Sequence, residues 1–434
     1  MKFGRSIGLL AALVSALCVG ALLSVAVTTK SYSESYPAIV CPPTISGLTS
    51  QISLTSKKTP FQRLQNRTTK TAPVKVLRLP VNKDSLLFNS EGVAPVVWQS
   101  KASSWAGGAV CTGPATSQWF VGGTADITTR GRLMIVNSGL SDAVVDVQSF
   151  TENGKQPLRT ITVVSKNYLV IATDSLAPGD KYLTVHVAPR SGRVNAFMID
   201  ERSKGLSSLG GDLINFAPSA SKSVMIPAIP HQIKDRSAAL PHTLRVLTPG
   251  DVDANVTAEV LSADGVFVPV GLTSRSISAG IVTEFQITPK ISSTVLAIRI
   301  TSTEPVVAAI KSTVTVSGRK DFVWSTSAPA LVPLTIAISG LTPLISFAGE
   351  RINVSLDVTL NNGKVIRKVI KGTEIATWRA PDAARSFTIT KVGPDTFAGA
   401  LVSSVNGYGY FPIAPGSLLT KIELPESNIR VLNP

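Results

Sequence analysis

The feature that most constrains the fold is a run of alternating apolar and polar residues that ends in a turn dipeptide and occurs three times. The three dipeptides are Asn153-Gly154, Asp264-Gly265 and Asn362-Gly363. Alternation with a period of two indicates a half-buried β-strand, and each dipeptide suits a type I′ hairpin turn, in which both turn residues have positive φ. The turns lie 111 and 98 residues apart, a spacing typical of whole β domains.

Each run predicts which side chains face a core. In the third copy, from Val354 to Leu360, the alternation has no exceptions. We therefore expect Val147, Val260 and Val358 to be buried, with each dipeptide at the tip of an antiparallel hairpin.

A second alternating pattern follows the first at a matched offset in each copy. In the first copy it runs from Leu183 to Val187 and from Val194 to Met198. Its predicted turns are Ser191-Gly192, Glu304-Pro305 and Gly393-Pro394. Two hairpins at matched offsets predict three copies of one structural unit.

These patterns predict an all-β fold with tandem immunoglobulin-like antiparallel β-sandwich domains after an N-terminal apolar helix. The predicted organisation is a signal peptide or membrane anchor helix at 1–29, a spacer and irregular β region at 30–118, sandwich copies at 119–204 and 205–318, and a third copy with a tail at 319–434. The proline-rich connection after residue 205 is predicted to hold one strand, Ser223 to Ile226, and a last edge strand is predicted near residues 406–412.

Composition bounds the possible partners. The chain has 434 residues, of which 44% are hydrophobic, and this is ample for a core in each domain. The formal net charge of +15 favours anionic partners, which include nucleic acid, acidic lipid headgroups and acidic polysaccharide. The compartment decides among them.

The beginning of the chain predicts that compartment. Ile7 to Val27 carries no charge, is long enough to cross a bilayer and follows Lys2 and Arg5. The positive-inside tendency then keeps the N-terminus in the cytoplasm and exports everything after Lys30. A retained anchor and a signal peptide cleaved near Ala26 both remain open.

A basic stretch follows the spacer. It contains eight cations and no acidic residue: Lys57, Lys58, Arg63, Arg67, Lys70, Lys75, Arg78 and Lys83. It predicts contact with an anionic envelope polymer or a lipid surface, and the alternative is a solvated loop that aids solubility. Nucleic acid is not expected, because no aromatic residues interleave the charges and the chain is exported.

Three tryptophans, Trp98, Trp105 and Trp119, lie close together in a glycine-rich part of the sequence. Exposed rings could stack on sugars, whereas buried rings would fill the core beneath a crossing strand. Large aromatic residues beside glycine in a β protein favour the core.

The sequence predicts no catalytic residue, cofactor or metal site. His186, His231 and His242 lack the spacing of a zinc site. No Gly-x-Ser-x-Gly nucleophile motif occurs, and Ser219 to Lys222 lacks the companion motifs of penicillin-binding enzymes.

The three cysteines predict one disulfide. Cys18 lies inside the apolar segment, so the exported part of the chain holds only Cys41 and Cys111. An oxidising compartment favours a bridge between them. The alternative is two separately buried thiols.

The chain resembles a family of secreted actinobacterial envelope proteins of uncharacterised function. The resemblance rests on the apolar N-terminal segment, on the early Cys41-Pro42, on Cys111 to Pro114, on Trp119 to Gly123, and on Leu133 and Asn137 in the strand that begins the repeat. It implies placement outside the cytoplasm and no recognised catalytic residue. The basic stretch is not a feature that we associate with that family.

We therefore expect a non-enzymatic binding or scaffold protein of a bacterial cell envelope, tethered to the cytoplasmic membrane or secreted. One alternative is a carbohydrate-binding or adhesive surface module, which exposed aromatic residues in a groove would favour. The other alternative is an envelope hydrolase, which converging carboxylates in a cleft would favour.

Overall fold

The computed structural model describes residues 12–19, 39–66, 68–88, 93–233 and 240–417. Residues 12–19 are helical, and the predicted apolar segment from Ile7 to Val27 extends outside the described residues on both sides of them. No helix among the described residues is long and apolar enough to cross a membrane. The remainder consists of β-strands in several mainly antiparallel sheets.

One pattern of strand pairing occurs four times within the described residues. Each copy, called a repeat below, has a leading strand, three arms and an axial strand, in chain order. Each repeat has two sheets, called the leading sheet and the axial sheet. Each arm has two halves, because it begins in one of these sheets and ends in the other. The leading sheet contains the leading strand, the first half of arm three, the second half of arm one and the first half of arm two. The axial sheet contains the axial strand and the other halves of arms three, one and two.

Repeat one has short strands. The leading strand is β1 (Ile39–Cys41). Arm one contains β2 (Thr49–Ser53) and β3 (Thr59–Arg63), arm two contains β4 (Lys70–Ala72) and β5 (Arg78–Val81), and arm three contains β6 (Leu86–Phe88) and β7 (Val93–Lys101). The axial strand is β8 (Trp105–Val110).

Repeat two includes a short 3-10 helix, Thr173–Ser175, after arm two. Its strands are β9 (Gln118–Val121), β10 (Arg132–Asn137), β11 (Ala143–Thr151), β12 (Gly154–Lys155), β13 (Arg159–Val163), β14 (Asn167–Ala172), β15 (Thr184–Ser191), β16 (Val194–Lys204) and β17 (Ser207–Ile214).

In repeat three the third arm, β24, runs through both sheets as one continuous strand, and in repeat four the first and second arms, β27 and β28, do so. Repeat three contains β18 (Ser221–Pro230), β19 (His242–Leu247), β20 (Ala254–Ser262), β21 (Gly265–Phe267), β22 (Arg275–Ile277), β23 (Thr283–Ile287), β24 (Val295–Val316) and β25 (Arg319–Thr326). Repeat four contains β26 (Leu334–Ala337), β27 (Leu344–Leu360), β28 (Val365–Arg379), β29 (Ala384–Val392), β30 (Phe397–Ser403) and β31 (Tyr408–Pro412).

The first set of predicted hairpins is confirmed, but its turn type was wrong. Val147, Val260 and Val358 are buried, as expected. Positive φ occurs only at the glycines, at 101° for Gly154, 121° for Gly265 and 80° for Gly363. In repeat two the loop is Glu152-Asn153, closed by the pair Thr151 and Gly154.

A side-chain hydroxyl explains the difference in two of the turns. Thr151 Oγ1 accepts a hydrogen bond from the backbone N–H of Asn153 at 3.1 Å, and Ser262 Oγ accepts one from Asp264 at 3.2 Å. These bonds stabilise a loop whose two residues keep negative φ, so that only the following glycine needs the left-handed region.

The second set of predicted hairpins was wrong. β15 pairs with β11 and β9, whereas β16 pairs with β10 and β17. Glu304 and Pro305 lie inside the continuous strand β24, and β29 and β30 pair with different halves of β27. At each of these three predicted turns the chain crosses from one sheet to the other. Both halves of the arm therefore gain a buried face without pairing with each other.

The N-terminal β region is not irregular, because β1 to β8 form a complete repeat. Strands of three to five residues make up most of it and leave little alternation to detect. The predicted boundaries after residues 204 and 318 also separate axial strands from their partners, since β17 pairs with β16 and β25 pairs with β24. The predicted strand from Ser223 to Ile226 is confirmed as part of β18.

The four repeats close into a ring around their axial strands. β8 contacts β17, β17 contacts β25, β25 contacts β31, and β31 contacts β8. The leading strand of repeat four, β26, pairs in parallel with β7 of repeat one. The first strand of repeat one also lies close to the segment that follows the last strand of repeat four, because a Cβ on Gly416 would lie 3.0 Å from Ile39 Cδ1.

Glycines permit the axial strands to approach each other closely. A Cβ on Gly409 of β31 would lie 2.9 Å from the Cα of Gly107 of β8, and a Cβ on Gly107 would lie 2.5 Å from Leu213 N of β17. Any larger residue at these positions would force the strands apart. β31 is therefore a buried strand at the centre, although it is last in its sheet order.

Each of the four main apolar clusters draws on both sheets of one repeat, and three of them also include residues of a neighbouring repeat. In repeat two, for example, Ile135 of β10 and Val147 of β11 belong to one cluster. Trp98, Trp105 and Trp119 are 7%, 0% and 8% exposed, which confirms that they fill the core.

Candidate functional site: a basic seam in the ring

The predicted disulfide between Cys41 and Cys111 is confirmed, with Cα atoms 4.6 Å apart. It joins the leading strand of repeat one to the residue that follows its axial strand. The bridge closes a loop across 70 residues and therefore constrains the whole of repeat one.

Repeat one also carries the basic stretch, whose residues do not form one cluster. Lys57 and Lys58 lie between β2 and β3, and Lys75 lies between β4 and β5, with Arg78 beginning β5. These two loops are adjacent, because Leu54 N donates to Leu77 O at 3.0 Å. They form one end of the repeat.

The other predicted cations lie apart from that end. Lys70 begins the edge strand β4, and Lys83 follows β5. Arg63 lies near Lys83, because the next residue, Leu64, donates its N–H to Ser85 O at 3.0 Å. Arg67 lies outside the described residues.

Repeat four adds a cation to the first end. Arg385 of β29 donates Nη2 hydrogen bonds to Val76 O at 3.0 Å and to Thr55 O. Arg78 packs against the same repeat, because a Cβ on Gly340 would lie 2.6 Å from Arg78 Cδ. We call Lys57, Lys58, Lys75, Arg78 and Arg385 the basic seam, since they lie where the first and last repeats meet.

Positive charge in the basic seam is uncompensated. Within the described ranges, none of its five residues forms an ion pair. Arg78 Nε and Nη2 are buried without a hydrogen-bond acceptor among those residues, and burial lowers the pKa of Arg78. Burial likewise lowers the pKa of Arg385. An oxyanion bound at the exposed Lys57, Lys58 and Lys75 would relieve the repulsion among the seam cations.

A second group of charges is buried near the ring axis. Asp200 pairs with Arg202 at 2.8 Å and accepts a bond from Trp324 Nε1 at 2.9 Å. Burial opposes ionisation of Asp200, but the attraction of Arg202 outweighs it and lowers the pKa of the carboxyl. Arg245 pairs with Glu284 at 2.6 Å and also donates to two backbone carbonyls of repeat two. These bonds join repeats two and three.

Two further carboxylates connect axial strands β17 and β25. Asp212 Oδ2 accepts from Trp324 N at 2.7 Å, and Asp321 Oδ1 accepts from Gly211 N at 3.0 Å. Burial raises the pKa of Asp212 well above its usual value and that of Asp321 to about 7, and it lowers the pKa of Lys311 to about 8. Asp200, Asp212 and Asp321 are at most 4% exposed, so a substrate does not reach them.

Each of the three histidines contacts another side chain of the protein. His186 stacks on Trp119, and burial lowers its pKa to about 4. His231 Nδ1 lies 2.9 Å from His242 Nε2, and His242 Nδ1 lies 2.9 Å from Ser312 Oγ. Among the described residues, no three His, Cys, Asp or Glu side chains form a group that could hold a metal ion.

Comparison of the chain with known proteins identifies one protein family. A model described as a family of unknown function (DUF5719) matches residues 93–365. No curated protein matches the chain. A solved structure, described as the crystal structure of a tetra-tandem repeat in the extending region of a large adhesion protein, is 12% identical and covers 88% of this chain and 93% of its own, with a TM-score of 0.12. That score carries no argument about fold or function.

Proposed function

The chain belongs to DUF5719, a family of unknown function, and we propose that it is a non-enzymatic binding or scaffold protein of a bacterial cell envelope. In this proposal it holds an anionic envelope polymer or an acidic lipid surface at the basic seam. The observation that carries the proposal is the uncompensated charge of the five seam residues. Lys57, Lys58 and Lys75 of repeat one are exposed and can reach a ligand, whereas Arg385 of repeat four is 2% exposed and adds charge beneath them.

The disulfide supports placement outside the cytoplasm, because such bridges persist in oxidising compartments. The uncharged segment from Ile7 to Val27 supports export, with the chain either anchored in the cytoplasmic membrane or secreted after cleavage. The finer fold prediction, an immunoglobulin-like sandwich in each repeat, also belongs to the proposal. Its support is that both sheets of a repeat share one core.

Two alternatives have less support. An envelope hydrolase needs accessible carboxylates, whereas Asp200, Asp212 and Asp321 are engaged between packed strands. A carbohydrate-binding module that stacks neutral sugars needs exposed aromatic faces, whereas the three tryptophans that suggested it are buried. The charge at the seam favours an acidic ligand instead.

Retention on wall polymers and on lipid vesicles tests the proposal. We would replace Lys57, Lys58, Lys75 and Arg78 together by Gln. The matched control replaces four exposed lysines of repeats two and three by Gln, namely Lys155, Lys166, Lys181 and Lys290. Both variants lose four charges, so the comparison separates the seam from the net charge of the protein.

We expect the seam variant to lose retention on anionic wall polymer or acidic vesicles, and the control to keep most of it. Retention by the unmodified protein should fall as salt rises, because the Debye length shrinks to about 3 Å at 1 M. Equal retention of both variants at every ionic strength would eliminate the seam as a binding surface and leave its charges as aids to solubility.

A further inference from the structure

A polar cleft with a volume of about 400 Å³ lies where repeat one meets repeat two. Repeat one supplies Lys101 at the end of β7 and the loop before β2, and repeat two supplies residues from β10, β16 and the turn after β16. The volume is within the range of pockets that bind small ligands. The cleft is separate from the basic seam, which joins repeats one and four.

Charge in the cleft is predominantly positive. Three cations, Lys101, Arg130 and Arg132, line it together with one carboxylate, that of Glu201. Lys101 Nζ lies 2.5 Å from Glu201 Oε1, so this ion pair links the two repeats across the cleft. The Lys101 side chain remains 44% exposed and can still reach a ligand. Neither arginine forms an ion pair with a carboxylate of the described residues.

Both arginines keep most of their hydrogen-bond donors free. Arg130 donates Nη1 to Thr129 O at 2.9 Å, and Arg132 donates Nη1 to Gly131 O at 2.8 Å. Their other N–H groups have no acceptor within the part of the chain that the structure describes. Two guanidinium groups that line the same cleft with free donors are suited to the oxygens of a phosphate or carboxylate, because a planar guanidinium binds such groups with two parallel bonds.

The rest of the lining suits a hydroxylated carbon skeleton. Ser46 and Ser104 of repeat one and Ser203 of repeat two contribute hydroxyl groups, which both donate and accept hydrogen bonds. Ile199 and Leu48 contribute apolar surface to the same cleft. A ligand with an anionic group at the arginines would therefore also find partners for several hydroxyls.

We propose that this cleft binds a small anionic polyol, with the anionic group held by Arg130 and Arg132 and the hydroxyls facing the serines. The shared chemistry is a phosphate ester or a carboxylate on a hydroxylated skeleton. The site takes such a unit either free or as part of a polymer, and it does not depend on binding at the basic seam. A metal cation is not the expected occupant, because one carboxylate faces three cations.

Isothermal titration of the full chain tests the proposal with four probes: inorganic phosphate, glycerol phosphate, glucuronate and neutral glycerol. We expect saturable binding of glycerol phosphate or glucuronate, stronger than that of inorganic phosphate, and none of glycerol. The preferred anion distinguishes the two chemical sources. Binding of none of the three anions would overturn the proposal, and equal binding of inorganic phosphate would refute the role of the serines.

Variants assign the binding to the cleft. Arg130→Gln with Arg132→Gln should weaken anion binding by at least about ten-fold, since two charge-assisted interactions are lost. The matched control is Arg193→Gln with Arg351→Gln, which removes two exposed charges elsewhere and should leave affinity unchanged. Thermal unfolding identifies any loss of fold. If the cleft variant is folded and binds like the unmodified protein, the assignment is wrong. Loss of small-anion binding with normal polymer retention would separate this site from the seam.

Discussion

Asn215 donates its side-chain amide to the carbonyl oxygen of Tyr410 at 3.0 Å, although 195 residues separate them along the chain. The same amide donates to Gly108 O, also at 3.0 Å. One side chain, immediately after the axial strand of repeat two, thus bonds to the axial strands of repeats one and four. Asn215 is 7% exposed, so water does not replace it easily.

Replacing Asn215 by Ala should destabilise the ring by about 2–4 kcal/mol, because two buried carbonyl groups lose their donor. Denaturant unfolding of the variant beside the unmodified protein measures this loss. Asn82→Ala, at an exposed position, is the control and should change stability by less than about 0.5 kcal/mol. If the two variants are equally stable, the amide does not hold the axial strands together.

Replacing Asp321 by Asn should change how stability depends on pH. The carboxyl has a pKa of about 7 in the folded protein against 3.8 without burial, so folding favours its protonated form. That stabilising contribution is complete below pH 3.8 and is lost as pH rises through 7. Asn can keep the acceptor oxygen that Gly211 N and Phe322 N use, and it carries no charge.

The difference in unfolding free energy between Asp321→Asn and the unmodified protein should therefore move in favour of the variant between pH 4 and pH 8, by on the order of 4 kcal/mol. Asp382→Asn, at an exposed position, should show no such change. Urea titrations at several pH values give the comparison. A constant difference across this range would mean that Asp321 does not titrate there.

Replacing Gly409 by Ala should destabilise the protein by about 1–3 kcal/mol through overpacking. The added Cβ would lie 2.8 Å from Trp98 Cζ3 and 2.9 Å from Gly107 Cα. Gly250→Ala is the matched control, because no atom lies within 4 Å of its added Cβ. We expect the control to be neutral or slightly stabilising. Thermal midpoints that agree for the two variants would argue against close packing of β31 on β8.

Removing the disulfide by Cys41→Ala with Cys111→Ala should cost about 4 kcal/mol in the chain-entropy model, given the separation of 70 residues. Both sulfurs lie in the core of repeat one, so Ala is a better replacement than a polar residue. Chemical unfolding of the double variant measures the loss, with Cys18→Ala as the control. Equal stability of both variants would show that repeat one is held by its core alone.

The parts of the fold that follow from local patterns could be predicted from the sequence. Alternation before Asn153-Gly154 and its two counterparts predicted the first hairpins and the buried valines, because both signals lie within one strand and one turn. The position of Cys18 in the apolar segment left Cys41 and Cys111 as one pair in the exported part, which predicted the disulfide.

The choice of strand partners could not be predicted in the same way. The alternation around Ser191-Gly192 is the same whether the two strands pair or cross between sheets, so the local pattern favoured a hairpin that does not exist. The short strands of repeat one hid a complete repeat. Nothing in the local sequence around Gly407 and Gly409 indicates that these glycines permit close packing at the axis.

The basic seam was only partly predictable. Lys57, Lys58, Lys75 and Arg78 were evident as a run of charges, but nothing near Arg385 in the sequence indicates that it would join them. Its place depends on ring closure, which brings repeat four beside repeat one. The cleft between repeats one and two was missed for a similar reason, since Lys101 and Arg130 lie on different repeats.

The meeting of Ile39 with Gly416 has a consequence for how the gene could be rearranged. A short linker from residue 417 to residue 39, with a new chain start in the exposed segment beside Val332, would preserve every strand pairing of the ring. In such a circular permutant the present fourth repeat would come first. The numbering of the repeats therefore reflects where the chain is cut, while the molecule itself has a cyclic order.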